Sequence, residues 1–462
     1  MKTNKIFVSA IAVTSMLLFA TSCSKDFYTK VNNNPNQPTA VPPSTLLPGV
    51  ELALAYAQGG DAERYSSIFI QQGFGAAREA SAYQNYQITG SNLPEQLWDN
   101  MYASDMENAY TLMTEANASG YNQYAGIASI LMAYSLQTTV DFWGNVPYSQ
   151  AFKGAANINP AYDKDQDIYA NIISLCNTGI ADLSNASPGA LVPTTDDVIY
   201  GGSASKWIAF ATAVKARIYI HQTKHNNVVM ADSALACAKR ALADGFSIAE
   251  VVYPGAPNSN PVYQFNTGWG DITYVTSGGD HVTLYDTMLA KNDPRLTVYF
   301  DTVGAAAASN PIVGIDPTTY YGAQTSPTEL ITMEELDFIE AEATLRSGGT
   351  VAGAAVFYAQ AINDNFTKLG IGTQAAAYIL ANPLAPTTAG AEYTIGKQEW
   401  IALFMNPEEW STWRRTGAPA LISNVASLSI PRRMVLPNSE ITENANAPQG
   451  ETLWSPVLFW DN

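Results

Sequence analysis

His221 and His225 stand four residues apart in His221-Gln222-Thr223-Lys224-His225. That spacing puts two imidazoles on one face of a helix, as zinc peptidases require, but those enzymes also need a glutamate directly after the first histidine. Gln222 occupies that place. His221 also falls on an apolar helical face, which predicts a packed core histidine and no metal. Asp163, Asp165 and Asp167 repeat the opening of an EF-hand loop. Ile168 stands where that loop turns on glycine, however, and Ser174 where it closes on glutamate. The three carboxylates are therefore expected before and within the first turn of a helix, facing the positive end of its dipole. No nucleophile elbow, Walker sequence or dinucleotide fingerprint occurs. A glycosidase needs only two carboxylates that meet in space, and among 41 acidic residues nothing singles out a pair.

What remains is stacking and amide chemistry. The chain has 25 tyrosines and nine tryptophans, with only 14% charged residues, so Asn, Gln, Ser, Thr and Tyr supply most of its polarity. Such groups suit neutral, hydroxyl-rich or amide-rich ligands, whose apolar faces lie on aromatic rings. The candidate ligand contacts, chosen by loop position and residue type, are Tyr83, Tyr86 and Trp98, then Tyr263, Trp269, Asp271 and Tyr274. Trp269 sits between Gly268 and Gly270, which makes it the least core-like of the set. A net charge of −18 leaves no basic footprint for phosphates, which excludes nucleic acid as a partner.

The elements that must position these residues are mostly helical. Trp207, Phe210, Ala211, Val214, Ile218 and His221 share one face at helical spacing, and Ala231, Ala234, Leu235, Ala238 and Leu242 repeat the pattern. Gly245 reads as a helix-terminating glycine. Thr332 and Glu335 form a capping box before a second pair of helices that turns at Gly348-Gly349. Pairs are expected near 122–184, 203–244 and 332–369. Isolated amphipathic hairpins cannot bury their own faces, so they should stack as TPR-like repeats. The stretches Leu93–Tyr102, Asp141–Asn159, Val251–Asp280 and Gly304–Thr328 read as long irregular loops, a length usually reserved for function.

The N-terminus has its own logic. Lys2 and Lys5 precede the apolar run Ile6 to Ala20, followed by Thr21-Ser22, which is the layout of a secretory signal peptide over residues 1–22. Cleavage there would make Cys23 the first residue, and a polar Asn- and Pro-rich tether would follow to residue 43. Cys176 and Cys237 lie within helical patterns and are expected as buried free thiols.

Taken in order, these landmarks resemble the SusD/RagB-like outer-membrane lipoproteins of the Bacteroidetes, in particular the SusD-like 2 branch. The matching residues are Cys23, "NNNPNQP" from Asn32, "DFWGNVPY" from Asp141, "DPR" from Asp293 and "ELDFIEAE" from Glu335. "QEWIALF" from Gln398, "WSTWRRTG" from Trp410 and "PRRM" from Pro431 complete the series. The resemblance implies one all-α-dominated domain over residues 44–462, a TPR-like superhelix with an irregular ligand-binding half. It implies a cell-surface protein, lipid-anchored through Cys23, with no enzymatic activity and no cofactor. The implied role is to bind oligosaccharide, or in some branches peptide, and to pass it to a TonB-dependent transporter of the SusC type. Ala20 departs from the leucine typical of lipoprotein signals, and Leu436 precedes Pro437 where an aromatic is common. The arginines of "PRRM" are expected to be structural, buttressing acidic helix ends.

Overall fold

The periodic apolar stretches fold as helices, and the helices pack in pairs. The structure, a computed structural model, describes residues 41–91, 94–185, 187–225, 227–268, 270–273, 283–300 and 314–462. The signal-like run, Cys23, nearly all of the tether, Trp269 and Tyr274 lie outside the described residues. From Pro43 onward the chain is a single unit. It opens with α1 (Pro43–Ala57), α2 (Glu63–Phe69), β1 (Phe74–Gly75), α3 (Arg78–Gln84) and α4 (Pro94–Asp99). A π-helical turn, Gln58–Ala62, joins α1 to α2, and another, Asn100–Met106, joins α4 to α5 (Glu107–Ser119). Next come α6 (Asn122–Trp143), β2 (Val146–Pro147), β3 (Tyr162–Asp163), α7 (Asp165–Ser184), α8 (Ala204–His221) and α9 (Val228–Ala243). The middle holds β4 (Ala249–Val251), α10 (Pro261–Gly268), β5 (Ile272–Thr273), α11 (Thr283–Ala290) and α12 (Leu296–Tyr299). Last are β6 (Thr328–Ile331), α13 (Met333–Arg346), α14 (Val351–Lys368), α15 (Ala375–Ala381), α16 (Thr388–Ala402), α17 (Glu408–Thr416) and α18 (Asn438–Glu443).

Three pairs dominate: α6 on α7, α8 on α9, and α13 on α14. α8 also packs on α7, and α9 on α13, so the pairs form one row in which each buries its neighbour's apolar face. Close approach within the first pair depends on glycine. A Cβ on Gly179 would lie 2.5 Å from Ile130 Cγ1 and 2.8 Å from the Gly126 carbonyl oxygen. Among the described residues, sheet is confined to three antiparallel two-stranded ladders: β1 with β5, β2 with β3, and β4 with β6.

Buried charge ties the row to the rest of the chain. Arg217 of α8 donates from Nε and Nη2 to the Glu335 carboxylate of α13, both at 2.7 Å, with each side chain 1% exposed. Arg415 of α17 binds Glu342 and Glu399, at 3.0 and 3.2 Å. Arg295 lies between Asp293, Asn365, Tyr378 and Gln398, and so fastens the segment before α12 to α14, α15 and α16. Breaking such a pair from one side leaves an uncompensated buried charge, at a cost of about 3–5 kcal/mol.

Several expectations need correcting. Leu93–Tyr102 is not an irregular loop, because Pro94 begins α4 and Leu97, Trp98 and Met101 bury one helical face. Val251–Asp280 likewise contains α10. The capping box is half formed: the Thr332 hydroxyl accepts from the Glu335 amide at 3.3 Å, while the Glu335 carboxylate turns to Arg217 instead. Cys176 is buried, with its thiol pushed up to about 12 by burial, but Cys237 is only half-buried. The "PRRM" arginines meet the C-terminal segment and not acidic helix ends: Arg432 pairs with Asp461 and Arg433 with Glu451. Arg433 also donates to the Pro456 carbonyl and to the Trp143 carbonyl at the end of α6.

Candidate functional site

The sequence-derived site residues do not converge. Tyr83 on α3 is buried, its ring edge-on to Tyr65 with centroids 4.6 Å apart. Trp98 is buried against Trp143 and Tyr102, at 5.1 and 4.5 Å. Tyr86 is buried near Phe69, and its hydroxyl accepts from the Asn424 amide at 3.3 Å. All three serve packing first, because large rings are drawn to the core as readily as to a ligand. Tyr263 is half-buried on α10, and Asp271 is buried beside β5.

Around β1 the chain builds a cavity of about 760 Å³. Its lining includes Phe74, the amides Gln71, Gln84, Asn85 and Asn424, and the hydroxyls Ser81, Thr283, Thr287 and Ser423. Gly75 is obligatory there, since a Cβ would lie 1.9 Å from the Ala80 carbonyl oxygen. The Gly75 amide donates to Gln84 Oε1 at 3.1 Å, which fixes that side chain at the wall. The Thr283 hydroxyl donates to Gln71 Oε1 at 2.5 Å, and Gln71 Nε2 donates to the Ile422 carbonyl, joining three distant segments. Asn85 Nδ2 donates to the Ser81 carbonyl at 2.7 Å, leaving its oxygen at the exposed rim. Asn424 Nδ2 is buried with no hydrogen-bond partner among the described residues, an unsatisfied donor at the same wall.

A second cleft, of about 540 Å³, is lined by Tyr56, Arg64, Arg78, Gln96, Gln264, Phe265 and Asp271 among others. Arg78 Nε donates to both Asp271 oxygens, at 2.8 and 2.7 Å. Arg78 has φ +47°, a conformation that a non-glycine residue seldom holds unless its surroundings fix it. The Asp271 carbonyl accepts from the Ala76 amide at 2.8 Å, so side chain and backbone together seat β1 against β5. Arg64 lies 4.5 Å over the Phe265 ring. Asp271 is thus the one predicted residue among those described that lies in a cleft beside β1.

Asp141, His221 and Glu408 bring ligand-type atoms within 4.8 Å of one another, but the histidine divides them. Its Nε2 faces Glu408 at 2.6 Å, while Nδ1 faces the Tyr169 hydroxyl at 2.9 Å and Asp141 at 3.5 Å. One ion cannot use both sides of an imidazole, so the geometry is that of a hydrogen-bond chain joining α6, α7, α8 and α17. Burial would raise Glu408, yet His221 and Arg217 hold its carboxyl down at about 2. His221 is packed in the core, as its place on the apolar face of α8 predicts, and its partners come from three other helices.

Comparison with known proteins follows from this architecture. The model of the SusD-like 2 family, described as starch-binding associating with outer membrane, matches residues 35–437. The chain belongs to this family. Among solved structures, the SusD-like chain is similar to a chitin-binding protein, at TM-score 0.74 and 23% identity, over 91% of this chain and 100% of that one. It is also similar to a SusD/RagB family protein from Bacteroides thetaiotaomicron, at TM-score 0.74 and 21% identity, over 91% and 99% of the two chains. A chitin-binding SusD homolog from Flavobacterium johnsoniae gives TM-score 0.71 and 21% identity, over 91% and 97%. At such identities the likeness concerns the fold, and the all-α SusD-like architecture is shared. A search of curated proteins gave no match. No local pattern marks the amide-rich wall, because its Gln, Asn, Ser and Thr come from separate segments of the chain. In "YQNYQ" the tyrosines turn inward and Asn85 turns out.

Proposed function

We propose that this chain is a cell-surface lipoprotein that captures oligosaccharide and passes it to a TonB-dependent, SusC-like transporter. The observation that carries the reading is the cavity of about 760 Å³ with its row of amides and hydroxyls around one half-buried ring, Phe74. Sugar hydroxyls exchange hydrogen bonds with such groups, and a few convergent polar groups in a concave site are what orient a small ligand. The family description and the chitin-binding relatives support a glycan as the ligand. Trp269 and Tyr274 belong to the proposal as ligand contacts, because the chain between α10 and α11 carries them and both helices line clefts. No step of bond cleavage is assigned to the site.

Calorimetric titration of the mature chain with chito- and malto-oligosaccharides, extended to a broad glycan panel, tests the reading. Binding should occur and should weaken by about tenfold in Asn85→Ala, the loss of one or two hydrogen bonds, with the melting temperature unchanged. Trp269→Ala with Tyr274→Ala should abolish it. Silence across the panel would overturn the glycan assignment, and release of shortened products at catalytic protein concentration would overturn the binding-only role. Recovery of a TonB-dependent transporter from outer membranes tests the partner.

A further inference from the structure

Two lysines stand where the large cavity runs into another. The second cavity, of about 300 Å³, lies between α11, α15 and α16, and it shares Thr287, Lys291 and Lys397 with the first. The two therefore form one trough, and a ligand that spans it passes both ammonium groups. Lys291 follows α11 directly and is exposed, whereas Lys397 projects from α16 and is half-buried. Neither makes an ion pair among the described residues.

That placement is unusual for this chain. Its net charge is −18, and its other cations are largely committed: Arg217, Arg295, Arg415 and Arg433 lie in buried ion pairs, and Lys224 and Lys368 have carboxylates at 2.7 and 2.5 Å. Two like charges set together in a half-buried trough repel one another. Burial first, and then the charge of Lys291, hold the Lys397 ammonium below its ordinary range. The acids nearby do not relieve them. Asp293 is already held by Arg295 and by the Tyr378 hydroxyl at 2.7 Å, and Asp286, which lines the larger cavity beside the lysines, makes no ion pair with either of them among the described residues. An anionic group between the lysines would remove the repulsion and gain charge-assisted hydrogen bonds.

We propose that the trough is selective for acidic oligosaccharides, with Lys291 and Lys397 receiving a carboxylate or sulfate of the ligand at the junction of the two cavities. This rests on the glycan-binding reading above and narrows it to a ligand class.

The test compares oligogalacturonate (carboxylate), chondroitin sulfate oligosaccharides (sulfate and carboxylate) and uncharged chito- and malto-oligosaccharides of equal length, titrated into the mature chain. At low salt at least one acidic ligand should bind tenfold or more tighter than any uncharged one, and the advantage should shrink at 0.5 M salt as screening shortens to about 4 Å. In a Lys291→Gln, Lys397→Gln double variant the preference should collapse to within about twofold. Tighter binding of an uncharged ligand by the unaltered chain would overturn the proposal and leave the glycan reading standing. A preference for acidic ligands that survives in the double variant, folded by its melting temperature, would also overturn it. Failure of every glycan to bind would remove both.

Discussion

Glu63 shows what burial does to a single acid. It lies on α2, 1% exposed, and one of its oxygens has no partner among the described residues. Burial pushes its carboxyl up to about 8, against a small opposing effect from Ser67. The folded chain therefore keeps a proton that the unfolded chain releases near 4.5. The associated stability is fully present below that value and is lost as pH rises through about 8. Glu63→Gln keeps the shape and removes the titration. The variant should match the parent near pH 5 and exceed it by a few kcal/mol (order of magnitude) near pH 9. Melting curves across that range check this, and a pH-independent difference would refute it. The type of Glu63 was plain in the sequence, but its burial was not. The same gap explains Tyr83 and Trp98, whose types suggested ligand contact while their helical positions sent them inward.

At the scale of elements, periodicity was the readable signal. The apolar face from Trp207 to His221 corresponds to α8, and the Asp163–Asp167 carboxylates sit before and in the first turn of α7 as dipole arguments require. The short ladders of two to four residues and the π-helical turns leave no such period, and β1 pairs with a strand nearly two hundred residues away, which local reasoning cannot reach. Helix contacts give a sharper test. In an open helix, Gly→Ala stabilises by up to about 1 kcal/mol. At Gly179 the new methyl would meet Ile130 and the Gly126 carbonyl, so Gly179→Ala should instead destabilise by about 1–3 kcal/mol. Gly353 on α14, where the nearest atom would be 3.4 Å away, is the control and should tolerate alanine. Denaturant midpoints for the two variants compare them, and equal effects would show that the α6–α7 contact is slack.

For the whole molecule, the first question is attachment. The family is one that associates with the outer membrane, and no helix among the described residues is long and apolar enough to cross a membrane. Acylation at Cys23 is the proposed anchor, and stable anchoring takes more than one acyl chain. Mass spectrometry of the membrane-extracted chain should find a lipid-bearing N-terminal cysteine at position 23, and Cys23→Ala should release the chain from membranes. An unmodified N-terminus elsewhere would sink the anchor. The second consequence belongs to the cavity around β1. Its wall takes Phe74 and Asn85 from near the start, Thr283 and Lys291 from the middle, and Lys397 and Asn424 from near the end. No fragment or half-folded intermediate can own such a surface. Ligand added during refolding should therefore leave early steps untouched and act only on the last, so that bound glycan counts finished molecules one by one.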